Sequence, residues 1–268
     1  MVRRPMLLAI DVSNTHTKLG VYDRERLAQH WRVQTLAERT ADEYAALLLG
    51  LFTAAGFPPT AITGVIVSSV VPPINRTIED LCRKFFGHVP LWVGPGTKTG
   101  MPILSDNPKE VGADRIVNAV AAYERVHTAA IVIDFGTATT FDYVTRKGEY
   151  LGGVIVPGIG ISLEALGSRT AKLPKVDLVR PPRVVGKNTV HAIQSGVVNG
   201  YTALVDGLVA RIREENDADA RVLATGGFGA LVAGASTTIE TVDEFLTLEG
   251  LRIIYMRNCA RNGGQDGS

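Results

Sequence analysis

The apolar residues of this chain fall into short runs that alternate with amphipathic stretches, and the alternation occurs twice. Residues 6–11, 17–22 and 27–33 read as three successive strands, the first an unbroken apolar run, "MLLAI", closed by Asp11. A helix is expected near 41–56, then a strand in "AITGVIVSSV", a helix near 74–86 and a strand in "HVPLWVG". The Gly- and Pro-rich loop "GPGTKTGMPILSDNPKEVG" and a helix from about Asp114 to Val126 come next. The pattern then restarts with "AAIVIDFGTATTFDYV" and "GEYLGGVIVPG". Helices near 160–169 and 189–214, a strand in "ARVLATGG", a short helix, another strand and a helix from about Phe245 to Arg257 complete it. The expected fold is α/β: two duplicated lobes, 1–127 and 128–259, each a mixed β-sheet flanked by helices, with a cleft between them. Residues 260–268, "ARNGGQDGS", carry little to bury and read as a flexible tail.

Each half opens with a β-hairpin whose turn begins with an aspartate. The first runs Asp11, Val12, Ser13, Asn14, Thr15; the second begins at Asp134 and reads "DFGTATT". One such turn alone needs no function, because Asp and Asn side chains hydrogen-bond the local backbone. Two at equivalent places in duplicated lobes can hold one ligand in the cleft between them. Tight-turn N–H groups and Ser, Thr and Asn side chains donate to phosphate, and the aspartates can hold a metal ion that neutralises it.

Composition narrows the partners. With 46% hydrophobic residues the 268-residue chain can fill its cores, and 28 Lys and Arg against 27 Asp and Glu leave no field of one sign to collect nucleic acid or an anionic membrane. Cys82 and Cys259 have neither metal-ligand spacing nor the density of a disulfide scaffold, which suits the cytoplasm. The opening "MVRRPMLLAID" imitates a signal peptide, but its apolar stretch is too short. "AALLLGLFTAAGF" falls short of a membrane span and reads as a buried helix.

The two aspartate hairpins, with a "TGG" turn at Thr225 to Gly227, resemble the phosphate-1, phosphate-2 and adenosine motifs of the acetate and sugar kinase, Hsp70 and actin superfamily. Within it, the chain resembles the type III pantothenate kinases. The resemblance is carried by "DVSNTHTKLGVYD", "DNPKEVGADRIVNAVAAYE", "IVIDFGTATTFDY", "GEYLGGVIVPGIGISLEAL", "GKNTVHAIQSG" and "LTLEGLRIIYMRN", which span nearly the whole chain. It implies ribonuclease H-like (actin-like ATPase) lobes and ATP-dependent phosphorylation of pantothenate, the first step towards coenzyme A.

The resemblance also implies roles for residues. Asp11, Val12, Ser13, Asn14, Thr15, His16, Thr17 and Lys18 would cradle the ATP phosphates, with Asp11 placing Mg²⁺ through water. Thr137 would bind ATP from the other lobe, and Asp134 would sit at a monovalent cation, K⁺ or NH₄⁺. Gly112, Ala113, Asp114 and Arg115 match the pantothenate-binding turn, with Asp114 the proton acceptor for the attacking hydroxyl. Thr189 matches a pantothenate contact reached from the second subunit of a homodimer. Read without the resemblance, Asp114 and Thr189 are each also good helix N-caps, Arg115 an exposed first-turn residue, and His16 an ordinary strand residue.

One position departs from the family pattern: Ser13 stands where that pattern has glycine. If the turn needs a left-handed residue there, serine is strained by roughly 1–2 kcal/mol. Felt only on binding, this is on the order of a 5- to 30-fold loss of ATP affinity; felt equally in free and bound protein, it lowers stability and leaves affinity unchanged. A third alternative is a turn relaxed to negative φ with the hydroxyl donating to phosphate. A second class of function, a non-catalytic nucleotide-binding regulator with an impaired phosphate turn, follows from the same departure.

Overall fold

The computed structural model describes residues 6–170 and 173–259, so the expected tail at 260–268 lies outside it. Among the described residues, ten strands form two five-stranded sheets. The first contains β1 (Met6–Val12), β2 (His16–Asp23), β3 (Arg26–Gln34), β4 (Ile62–Ser69) and β5 (Leu91–Trp92), in the order β3-β2-β1-β4-β5. The second contains β6 (Ala130–Phe135), β7 (Ala138–Val144), β8 (Tyr150–Pro157), β9 (Arg221–Gly226) and β10 (Thr241–Val242), in the order β10-β9-β6-β7-β8. In each sheet the second strand is antiparallel to its two neighbours, while the fourth and fifth run parallel to the first. Read from β8, the second sheet therefore repeats the first strand for strand, as the duplicated pattern predicts.

Among the described residues, seven α-helices accompany the sheets: α1 (Ala41–Ala54), α2 (Asn75–Leu81), α3 (Ala113–Val126), α4 (Ile159–Ser168), α5 (Thr189–Glu215), α6 (Gly229–Ala233) and α7 (Leu246–Cys259). Helix α1 starts at a capping box in which Thr40 and Glu43 satisfy each other's backbone N–H groups. The helix expected over 74–86 is α2 followed by a π-helical turn, Cys82–Phe86, which Gly87 ends at φ 72°.

Alternation along β1 divides its side chains between two faces. Leu8, Ile10 and Val12 enter a core with Tyr44, Leu48 and Phe52 of α1 and Ile78 and Leu81 of α2. Leu7, Ala9 and Asp11 point the other way. In the second sheet, Ile131, Ile133 and Phe135 pack with Val205, Val209 and Ile212 of α5 and Val232 of α6.

Two compact units follow the sheets but not a single cut of the chain. One runs through Gly100, takes in Asn107–Ala121 and resumes at Thr247; the other comprises Met101–Asp106 and Ala122–Leu246. The division expected from sequence put α7 with the second half. Its contacts belong to the first: a Cβ on Gly64 would lie 1.8 Å from the Tyr255 hydroxyl, one on Gly20 3.0 Å from Leu248, and one on Gly250 2.1 Å from the Val117 carbonyl oxygen. Three glycines thus let α7 seat against β2, β4 and α3.

Candidate active site

Asp11 is the last residue but one of β1, and its side chain is 1% exposed. Each carboxylate oxygen is held by a hydroxyl: Ser68 donates to Oδ1 at 2.8 Å and Ser13 to Oδ2 at 3.1 Å. The Ser13 N–H donates to the His16 carbonyl at 3.2 Å, which closes the turn, and Thr35 N–H donates to the Thr15 carbonyl at 3.0 Å. Asn14, Thr15 and His16 are exposed on this turn. Val12 and Thr17 are not available in the same way. The Val12 side chain is in the core, and the buried Thr17 hydroxyl is 2.9 Å from that of Thr35.

Strand registers add two residues that the sequence reading missed. Lys18 pairs with Asp11 and with Arg32, and Asp11 pairs with Ser68, so Arg32, Lys18, Asp11 and Ser68 cross the sheet in one row. Paired residues share a face. The row lies opposite the α1 and α2 core and sets Lys18 next to the buried carboxylate, with Arg32 one strand further out. Burial, followed by the positive charges of Arg32 and Lys18, lowers the pKa of His16 from its usual 6.5. The shift disfavours the charged imidazole, and the cationic side chains of this row are Lys18 and Arg32.

Ser13 does not adopt a left-handed conformation; among the described residues only Arg24 and His127 combine a side chain with positive φ. The strain argument for weakened ATP binding is thereby removed. The negative φ leaves the hydroxyl bonded to Asp11. Ser13→Gly is expected to leave the ATP dissociation constant within about threefold of the parent and to cost about 0.5–1 kcal/mol of stability through added freedom in the unfolded chain. Calorimetric ATP titration and denaturant melts of the two proteins check both.

The second turn of this unit is Gly112 to Arg115. Helix α3 begins at Ala113, so Asp114 lies within its first turn and is not the N-cap. Its Oδ1 accepts the N–H of Arg115 at 2.8 Å. A Cβ on Gly112 would be 2.6 Å from that oxygen, so glycine is what allows the carboxylate to fold back over the turn. The same Cβ would be 3.6 Å from Val70 Cγ1, and Val70 N–H donates to the Val12 carbonyl at 3.0 Å. This short chain of contacts fixes the Asp114 turn beside the Asp11 turn. Arg115 is half-buried, not exposed as an ordinary first-turn residue would be.

In the other unit, Asp134 is the last residue but one of β6, the equivalent of Asp11, and is half-buried. Thr137 is exposed in the following turn, and its carbonyl accepts the Gly158 N–H at 3.0 Å. A Cβ on Gly158 would lie 2.2 Å from that carbonyl oxygen, so this glycine shapes the turn. Thr189 is exposed at the start of α5, and the cap is its neighbour Asn188, whose side chain accepts the His191 N–H at 2.8 Å. The capping alternative for Thr189 is thus taken by another residue.

Residues 7–211 match the model of the type III pantothenate kinase family. The chain belongs to that family. It is 59% identical to the type III pantothenate kinase of Myxococcus xanthus, over 95% of this chain and all of the relative. With that of Geobacter sulfurreducens it shares 57% identity, over 94% of this chain and 99% of the relative. Among solved structures, MreB 5 of Spiroplasma citri bound to AMPPNP superposes with a TM-score of 0.58 at 10% identity, covering 97% of this chain and 99% of that one. A Baf family protein from Campylobacter jejuni gives 0.59 at 18% identity, covering 94% and 98%. Such distant likenesses carry the fold alone, two repeated mixed sheets flanked by helices.

The two aspartates of this type III pantothenate kinase suit different ions. Asp11, buried and already holding two hydroxyl groups, has lone pairs left for water, as a Mg²⁺ bound mainly by substrate phosphates requires. Asp134 Oδ1 would be 2.7 Å from a Cβ on Gly226, so the absent side chain leaves room beside a carboxylate oxygen. Oxygen donors with space around them fit a cation.

Proposed function

We propose that the Asp11 turn takes the polyphosphate of ATP while Asp114 receives the proton of the pantothenate hydroxyl. As a type III pantothenate kinase, the chain is a phosphotransferase that uses ATP to phosphorylate pantothenate in coenzyme A biosynthesis. The observation that supports this division of labour is the contact chain from Val12 through Val70 to Gly112, which sets the two turns side by side. A phosphoryl acceptor and a phosphoryl donor must be held side by side for in-line transfer.

On this reading, Asn14 and Thr15 offer backbone and side-chain donors to the phosphates, Ser13 holds the turn through its bonds to His16 and Asp11, and Lys18 and Arg32 counter the phosphate charge. Ser68 keeps Asp11 fixed by its hydrogen bond. Mg²⁺ near Asp11 would neutralise the transferring phosphoryl group, and a monovalent cation held by Asp134 would supply further positive charge. Asp114 orients the acceptor hydroxyl and takes its proton late, when bonding to phosphorus has made that hydroxyl acidic. Arg115 pairs with the substrate's carboxylate, for which a guanidinium fork is suited. Thr137 contacts ATP from the second hairpin.

Thr189 acts in this scheme from a second copy of the chain. Its surroundings support that: Val184 and Val185 are 73% and 80% exposed shortly before it, and Val190 follows it at the surface. The protein works as a homodimer in the cytoplasm, a setting that suits the free thiols of Cys82 and Cys259. Among the described residues, no helix is long and apolar enough to cross a membrane. Subunit mixing tests the shared site. Asp114→Asn and Thr189→Ala homodimers are each expected to be impaired. After subunit exchange, half the dimers are mixed and each regains one intact site, so the activity should rise to about a quarter of the parent's. No gain in a mixture shown by mass spectrometry to contain mixed dimers would mean that Thr189 serves its own subunit.

A further inference from the structure

Because the two sheets repeat each other strand for strand, their residues can be compared place by place. In the first, Asp11 on β1 pairs with Ser68 on the parallel strand β4, and the Ser68 hydroxyl donates to Asp11 Oδ1 at 2.8 Å. In the second, Asp134 on β6 pairs with Thr225 on the parallel strand β9. Thr225 is 0% exposed, yet its Oγ1 has no hydrogen-bond partner among the described residues. Buried hydroxyl groups are seldom left in that condition without a ligand, ion or water to meet them. Thr139, similarly buried and unpartnered, pairs with Phe135 and so lies on the opposite face from Asp134.

The residue after Thr225 sharpens the comparison. Gly226 has φ 89°, and a Cβ there would lie 2.7 Å from Asp134 Oδ1 and 2.6 Å from the Phe135 carbonyl oxygen. The chain therefore keeps a side chain out of the space beside the carboxylate while burying a hydroxyl on the adjoining strand. Carboxylate and hydroxyl oxygens are the donors that a hard cation selects.

We propose that Thr225 Oγ1 is a ligand of the monovalent cation held at Asp134. The inference rests on the reading of Asp134 as the cation site. It gives Thr225, otherwise the first residue of the adenosine turn, a function of its own: where Ser68 orients a carboxylate, the equivalent threonine shares an ion with one.

Cation-dependent melting of the dimer tests the proposal without reference to catalysis. The melting temperature is followed against K⁺, with choline chloride holding ionic strength constant. The parent is expected to gain stability as K⁺ fills the site, and Asp134→Asn to lose that gain. Thr225→Val, which keeps the shape and removes the oxygen, should raise the half-saturating K⁺ concentration at least about tenfold. Thr225→Ser, which keeps the oxygen, should stay within about threefold of the parent. If valine folds poorly, Thr225→Ala gives the same comparison with serine. An unchanged half-saturating concentration in the variants that lack the oxygen overturns the role of Thr225, as does an equal shift for serine. A parent that shows no K⁺-specific gain, with Asp134→Asn identical to it, overturns the cation site itself and the inference with it.

Discussion

Asp114→Asn is expected to lower kcat for pantothenate phosphorylation by about 10²- to 10⁴-fold, the usual worth of a positioned general base. The substitution keeps the size of the side chain and its carbonyl oxygen can still accept the Arg115 N–H that Asp114 accepts at 2.8 Å. Helix α3 should therefore start unchanged, and the melting temperature should move little. What is lost is an acceptor for the proton of the attacking hydroxyl. The ATP dissociation constant should remain near the parent's, since the phosphates are assigned to the Asp11 turn. Rapid-quench measurement of the chemical step, beside calorimetric ATP titration, separates the two quantities. A drop in ATP affinity with the chemical step intact would move Asp114 from the acceptor to the nucleotide.

Asp11→Asn should act on the other substrate, lowering kcat/KM for ATP by on the order of 10²- to 10³-fold, the cost of removing a preorganised electrostatic group. Asp11 is buried and its two oxygens accept from Ser68 and Ser13. An amide there presents one NH₂ group where an acceptor stood, so one of the two serine hydroxyls must turn round. The side chain also loses the charge that water around Mg²⁺ would face. The Mg²⁺ concentration needed for half-maximal rate should rise with the loss in kcat/KM. An Asp11→Asn protein with a normal Mg²⁺ curve would show that the carboxylate serves only the turn.

The fold was legible in the chain to an unusual depth because its signal is repeated. The central strands β1 and β6 are apolar runs ended by an aspartate, and both recur with hairpin partners at matching places. Three things were not legible. Helix α7 reads as part of the second half, since nothing local reveals that Gly20 and Gly64 are the seats it occupies in the first unit, or that its own Gly250 lets it close on Val117. Arg32 and Ser68 look like ordinary strand residues until the registers of β2, β3 and β4 place them in line with Asp11. Backbone conformation was the third: Ser13 sits at negative φ, which a family pattern of glycine does not foretell. Thr225 shows the same limit, because an orphaned hydroxyl becomes visible only when every neighbour has been placed.

The measurement that bears most directly on the account is formation of 4'-phosphopantothenate from pantothenate and ATP with Mg²⁺, followed by mass spectrometry with and without K⁺. Steady turnover that K⁺ increases and Asp114→Asn lowers by at least about a hundredfold is the expected result. A folded protein that binds ATP in the calorimeter but forms no product at millimolar substrates would contradict it, and would make this chain a nucleotide-binding regulator that has kept the fold and lost the transfer.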